Sequence, residues 1–539
     1  MKVAVFVLFG IVIAIKAQER ESPAVLISIL VRNKAHVLPY TLSFVENLNY
    51  PKNRLGLFIR SDHNVDNSVQ IIDAWLNTTQ SAYHTVNKKY KLVNDKRRTE
   101  KSESDWPYER LTHVINMKEE ALNFARKNWY DFVLFLDADV LLSNPDVLKN
   151  LIALDLAVVA PMVSTTEKEY TNFWTELGPE NEKILDKEIQ NYDKKGHFKV
   201  DGVSNVVLVN LNLLNSDGLT FDKKVLNTLN NKKGFYYEGV LDPDVIFSVS
   251  AKQANVPIYV ANDHFYGFVL HPLAPKDTLE KEKQSLVNVL VEILDKSATK
   301  TVDVKECFKN FMTYPKPDTL GMDRIFVVNH DTDLKNRFEL LSRFMGLSVQ
   351  RVPLIDEKSL TLQFIEEHGI SQLPDYKHPV EKRPMTLFEI RWFLSHHEIW
   401  QKMVKKSLNL VLVMEDDVRF KPDFKKNVLK AVDEAKNTGK NWDLLYFTRK
   451  WIGGDELRVD GTKNLYETAY SPSTTAYCLT LEGAKKLLNA SPLSKMVPVQ
   501  EFLPIMANKH PNKTWNEAFS ERNLVAWHVY PSLAETLKD

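Results

Sequence analysis

The stretch FVLFLDADVLL, residues 132–142, runs five apolar residues into Asp137 and Asp139. Side chains alternate along a strand, so positions i and i+2 share a face and the two carboxylates converge. Adjacent anions raise each other's pKa unless positive charge lies between them. A hard divalent cation with oxygen ligands supplies that charge; a solvated turn at a strand end is the bland alternative. A second stretch, LVLVMEDDVRF at 410–420, repeats the pattern. Glu415 and Asp417 stand at a constant offset of 278 residues from Asp137 and Asp139, with Asp416 between them. A cation held by two or three carboxylates keeps open positions, and Mn2+ or Mg2+ in that state takes diphosphate oxygens. A sugar-nucleotide donor fits this chemistry, because the cation stabilises charge building on the departing nucleoside diphosphate.

Carboxylates at the ends of buried strands need a sheet to carry them. From Ala24 onward the chain alternates apolar runs with helical stretches: AVLISILV, a helix entered through Pro39, RLGLFIRSD, SVQIIDAWL, then a helix over THVINMKEEALNFARKNW. The charged stretch 87–104 reads as a surface loop. Such alternation predicts an α/β fold with a mostly parallel, Rossmann-type sheet and helices on both faces. Ligands in these sheets bind outside the carboxyl ends of the strands, where Asp62 and the Asp137/Asp139 pair fall. Base and ribose are expected near Arg32, Asn33, Asp62 and His63. MDRIFVVNH opens a second unit, preceded by a charged helix and a PKPD linker at 315–318.

The chain has 539 residues, 44% apolar and 26% charged, which predicts a globular protein of several domains. Lys+Arg and Asp+Glu balance at 70 each, so no global field draws nucleic acid. The opening MKVAVFVLFGIVIAIKAQ has signal-peptide anatomy, with cleavage expected near Ala17 and an uncleaved anchor as the alternative. No later segment reaches membrane-spanning length. Sequons at Asn77, Asn489 and Asn512 suit that compartment. Cys307 and Cys478 allow one disulfide at most, and the apolar setting of Cys478 predicts a buried free thiol.

Nine ordered motifs carry a resemblance: VRNKAHVLP (31–39), SDHNVDN (61–67), FLDADV (135–140), VVAPM (158–162), NFW (172–174), FLSH (393–396), EDDVRF (415–420), WDLLYFTRK (442–450) and PVQEFLPIM (498–506). With them the chain resembles the procollagen galactosyltransferase family, glycosyltransferase family 25, along nearly its whole length. The resemblance implies two tandem GT-A-like domains, here 22–272 and 320–539, joined by a helical segment 273–319 behind a signal peptide 1–17. It implies galactose transfer from UDP-galactose to hydroxylysine of collagen-like chains, with Mn2+ (or Mg2+), inversion, residence in the endoplasmic reticulum and a homodimer. Asp137 and Asp139 would hold the metal in the first domain, and Glu415, Asp416 and Asp417 the equivalent place in the second. Inversion needs a general base, for which LDPDVIF offers Asp244 and Asp242; capping of the following helix is the competing role. Arg337, Glu389 and His396 match donor-phosphate positions in the second domain; for Glu389 and Ser395-His396 a helix N-terminal or core role is the competing one. His264 is a metal or phosphate contact or a packed loop histidine.

Departures from the family pattern cluster near these positions. Val140 stands where Asn is usual, Val203-Ser204-Asn205 replaces Val-His-Ser, and Gln500 replaces an aspartate beside Glu501. Leu387-Phe388-Glu389 replaces a Lys-Gly-Glu turn, and the loop HDTDLKNR keeps only Arg337 of an Arg/Pro/Asp-rich segment. The chain stops at Asp539, before the family's acidic segment and retrieval tail, so retention and secretion are both open expectations. A catalytically inactive, binding or adhesion-type protein on the same fold is therefore the second expectation, as in the family's cerebral endothelial cell adhesion molecule branch. A haloacid-dehalogenase-type phosphatase also uses D-x-D, but that motif should open its domain rather than follow about 110 residues of α/β pattern.

Overall fold

VLISILV (Val25–Val31) is apolar on both faces, and the fold buries it as a central strand. It pairs in parallel with Leu55–Ser61 on one side and with the first carboxylate strand, Phe132–Asp137, on the other. The computed structural model describes residues 22–90, 97–166, 170–175, 186–230, 235–296, 302–329 and 332–537. The expected signal segment, and His330 and Asp331 of the HDTDLKNR loop, lie outside the described residues. Two compact units form, Met1–Val289 with Asp303–Thr313, and Leu290–Val302 with Tyr314–Asp539. Among the described residues no helix is long and apolar enough to cross a membrane.

The eight-stranded sheet of the first unit begins at Thr85–Tyr90, Leu55–Ser61, Val25–Val31 and Phe132–Asp137, all parallel. Val206–Asn210 then runs antiparallel beside the carboxylate strand, followed by Val158–Pro161, Ile258–Ala261 and His197–Val200. Thr85–Tyr90 corrects the loop expected from residue 87. It is an edge strand with both faces half-open to water, so its lysines cost little burial and no apolar alternation marks it. Apolar cores cover both sheet faces, one around Ile27, Leu57 and Trp75, the other around Val133, Phe221 and Phe247.

The second unit repeats this plan. Its seven strands lie in the order Val349–Pro353, Arg324–Asn329, Leu410–Glu415, Ala476–Thr480, Leu444–Tyr446, Ala526–Val529 and Leu465–Glu467. Pair by pair the directions match the first sheet, with an antiparallel strand again inserted beside the carboxylate strand. A short ribbon follows each acid motif. Val140–Leu141 pairs with Phe268–Val269, and Val418–Phe420 with Ala534–Thr536. Even single hydrogen bonds recur: Leu270 N donates to the Asp139 carbonyl at 3.2 Å, and Leu537 N to the Asp417 carbonyl at 2.8 Å. The 278-residue echo in sequence is thus a duplicated supersecondary frame.

Arg337 shows how the second acid turn is supported. The residue is wholly buried on the helix Thr332–Met345. Its Nε donates to Asp295 Oδ1 at 2.9 Å, and its other nitrogens reach the carbonyls of Asp416 at 3.1 Å and Val418 at 2.7 Å. The guanidinium expected at a donor phosphate is here engaged by groups inside the protein. Removing one partner of a buried pair leaves a charge unpaired, at a cost of about 3–5 kcal/mol. Arg337→Met should therefore lower unfolding stability by about that amount in urea titrations, with partial recovery when Asp295→Asn is added.

Candidate active site

In the first unit the carboxyl end of Phe132–Asp137 meets three other elements. Asp137 N donates to the Asn205 carbonyl at 2.8 Å, and Asn205 Nδ2 donates back to Asp137 Oδ2 at 3.3 Å. Asn205 holds a left-handed conformation, φ 65°, which asparagine tolerates better than most residues. Tyr170 OH donates to Asn205 Oδ1 at 2.5 Å, which aims the amide nitrogen at the carboxylate. Position 205, noted only as a departure in sequence, is therefore a partner of the acid pair.

Two lysines face the acids. Lys34 Nζ lies 2.7 Å from Asp139 Oδ2 and also bonds Glu282; Lys118 Nζ lies 2.6 Å from Asp244 Oδ1. Burial opposes charge on both lysines, but their carboxylate partners hold each above the ordinary lysine pKa. Burial pushes Asp137 up to about 7, reinforced by the charges of Asp139 and Asp244 against the opposing pull of Lys118 and Lys34. Asp139 Oδ1 is buried with no hydrogen-bond partner among the described residues. Lys118 had a sequence signal, because it falls on the buried stripe of Tyr108–Lys127 with Met117, Ala121 and Leu122. Lys34 had none beyond its place in VRNKAHVLP.

The two base candidates separate. Asp242 is the N-cap of the helix Pro243–Gln253, accepting from Asp244 N at 2.9 Å and Val245 N at 3.1 Å. Its carboxylate thus performs the capping role that competed with base catalysis in the sequence. Asp244 itself turns toward Lys118 and stands within electrostatic reach of Asp137. A cavity of about 390 Å³ opens nearby, lined by Met162, Ser164, Tyr170 and Lys187 among others. His264 is exposed, 3.8 Å from Asp263, rather than packed in its loop.

The expected nucleotide residues knit the strand-end loops together. Arg32 forms a two-pronged ion pair with Glu100. Asn33 N donates to Asn64 Oδ1 at 2.9 Å, and Asn33 Oδ1 accepts from Val65 N at 2.8 Å. Burial works to raise the Asp62 pKa, but His113, at 3.2 Å, and Arg97 hold it well below the usual range. His63 sits beside it with φ 47°. The chain thus places these residues together at the ends of the first two strands, each already engaged.

In the second unit Glu415 is buried, and its Oε1 accepts from Trp392 Nε1 at 3.0 Å and Thr474 Oγ1 at 2.5 Å. Asp416 is fully buried, and Asp417 follows at the turn. His396 is fully buried, with Nδ1 2.8 Å from Tyr477 OH and Nε2 3.8 Å from Glu415. Glu389 closes a capping box with Thr386 at the start of Leu387–Lys406 and pairs with Arg383 at 2.8 Å. Its carboxylate serves the helix end, the competing role expected for it. Glu501 accepts from Tyr470 OH at 2.7 Å and lies 3.0 Å from His510 Nε2. Among the described residues no group of three or more His, Cys, Asp or Glu forms a ready cation cage in either unit. Cys307 and Cys478 are both free, and Cys478 is buried.

The Asp137 shift has a measurable consequence. An unfolded aspartate loses its proton near pH 4, whereas folded Asp137 keeps it to about pH 7. Folding therefore takes up a proton between those values, and stability falls as pH rises through that window. In metal-free protein, Asp137→Asn should lose about 2 kcal/mol less than the parent between pH 5 and pH 8, read from urea melts at each pH.

Comparison with known proteins adds to this geometry. Residues 22–290 match the model of the glycosyltransferase family 25 N-terminal domain. Residues 322–503 match that of glycosyltransferase family 25 (LPS biosynthesis protein). A glycosyltransferase 25 family member of Aedes aegypti is 42% identical over 533 residues, covering 98% of this chain and 86% of the relative. Human procollagen galactosyltransferase 2 is 35% identical over 526 residues, covering 95% and 81%. Among solved structures, the mannosyltransferase PcManGT of Pyrobaculum calidifontis, in complex with GDP-Man and Mn2+, matches at 14% identity and a TM-score of 0.29, covering 54% of this chain and 68% of that one. On the two matched domains and the near full-length relatives, the chain belongs to glycosyltransferase family 25.

Proposed function

We propose that the chain transfers galactose from UDP-galactose to hydroxylysine of collagen-like chains, with inversion, at the first unit's acid cluster. The observation that carries the reading is the grouping of Asp137, Asp139 and Asp244 at one strand end. Donor and acceptor class come from relatives named procollagen galactosyltransferase. A divalent cation, Mn2+ or Mg2+, fits Asp137 and Asp139. One Asp139 oxygen is buried and unbonded among the described residues, and Asp137 holds a raised pKa beside two other carboxylates. When bound, the cation supplies charge stabilisation at the departing diphosphate. Asp244 takes the proton of the acceptor hydroxyl, and Lys118 holds that carboxylate in place. Asn205, pinned by Tyr170, orients Asp137.

The second unit is assigned to binding, because Glu415 spends an oxygen on Trp392 and Thr474. Secretory-pathway residence in the endoplasmic reticulum, a cleaved signal, functional domains at 22–272 and 320–539, and a homodimer belong to the same reading. Asn77 and Asn489 are exposed and Asn512 half-buried, which suits glycans at the first two above all. A second reading, a non-catalytic partner of collagen-like chains, draws on the lysines. Asp139 and Asp244 each already carry a cation of the protein's own.

UDP release from UDP-galactose, with Mn2+ and a hydroxylysine peptide, separates the two readings. Turnover is expected, with a loss of roughly a hundredfold or more in Asp137→Ala/Asp139→Ala. Glu415→Ala/Asp417→Ala should keep most of kcat and weaken peptide or donor binding. Release no faster than in the first double variant would leave only the binding reading.

A further inference from the structure

The Lys34 loop is held at its backbone and free only in its side-chain stem. Asn33 N is bonded to Asn64 at 2.9 Å, Lys34 N to Ser68 Oγ at 2.9 Å, and Ala35 N to Asp66 Oδ2 at 2.9 Å. From that fixed Cα the four-carbon stem brings the ammonium between two carboxylates on different elements. One is Asp139, beyond the carboxylate strand; the other is Glu282, on the helix Leu279–Lys296. Glu282 is nearly inaccessible and also lies 3.0 Å from His36 Nε2, so it forms a prepared anionic seat. Asp139 is satisfied unequally, with Oδ2 on the ammonium and Oδ1 buried without a hydrogen-bond partner among the described residues.

A lysine ammonium is a compact point charge on a flexible stem, able to exchange one carboxylate for another without moving the backbone. We propose that Lys34 is a resident counter-ion of the metal seat. It neutralises Asp139 while no divalent cation is bound and withdraws onto Glu282 when one takes Asp139. This rests on the metal-binding part of the reading above and assigns Lys34 and Glu282 as positioning residues for that cation. The buried acid pair then never stands uncompensated, and cation entry exchanges one ion pair for another.

Mn2+ alone, titrated into the full chain and followed by the electron paramagnetic resonance signal of the free ion, tests the exchange. Lys34→Met should bind Mn2+ roughly tenfold or more tighter than the parent, because the competing ammonium is gone. Glu282→Gln, with Lys34 in place, should bind several-fold weaker, since the ammonium loses its second seat. In the Lys34→Met background the same glutamine change should alter affinity by no more than about twofold, a coupling that a simple field effect would not produce. Lys34→Met binding no tighter than a parent that binds, or Glu282→Gln acting equally in both backgrounds, would overturn the exchange alone. Absence of Mn2+ binding in every variant would overturn both it and the metal reading. Should Lys34→Met fail to fold by thermal melting, Lys34→Gln and Glu282→Gln carry the test, and an unchanged affinity in Glu282→Gln is then the refuting result.

Discussion

Two carboxylates placed one residue apart at the end of a buried strand impose a charge problem on the rest of the first unit. Asp137 and Asp139 leave a strand whose neighbours are apolar, and Asp244 approaches from a helix start. Without compensation, each added anion raises the cost of ionising the others. The fold answers with Lys34 from the first strand-end loop and Lys118 from the long helix Tyr108–Lys127. It also recruits the Asn205 amide, aimed by Tyr170. Burial above all still pushes the Asp137 carboxyl up, and the charges of Asp139 and Asp244 add to it. The proposed divalent cation would meet that acid pair at the strand end.

The second unit solves a similar problem differently, on the same strand plan. Its acid turn is braced from beneath by the buried Arg337–Asp295 pair, and Glu415 is satisfied by an indole and a hydroxyl. Those neutral donors carry no charge that a metal or phosphate must displace. Asp137, the first unit's equivalent of Glu415, meets the Asn205 amide and the field of two lysines instead. The same topology therefore supports two chemical states of one motif. Fold duplication does not carry duplicated activity with it, because activity depends on the side chains around the frame.

Much of the architecture was legible in sequence because buried strands need apolar runs and helices need an apolar stripe. Val25–Val31, Phe132–Asp137, Arg324–Asn329 and Leu410–Glu415 were all readable in this way. Thr85–Tyr90 was not, since an edge strand open to water can carry lysines at little cost. Strand direction was illegible too: Val206–Asn210 and Ala476–Thr480 are as apolar as their parallel neighbours, and only pairing reveals that they run antiparallel. Asp242 illustrates a different limit. A carboxylate before a helix serves equally as cap or base on paper, and only the structure shows the two backbone hydrogen bonds it accepts.

By itself the sequence determined which residues could meet a cation, since i and i+2 on a strand must share a face, and it determined the family through ordered motifs. Tertiary structure alone decided which charges those acids meet. Lys34 and Asp139 are 105 residues apart in the chain, and Lys118 and Asp244 are 126 apart. No local periodicity encodes such pairings. They arise because strand order brings a distant loop and two helices to the carboxyl end of the sheet, where Coulomb energy acts through space rather than along the chain.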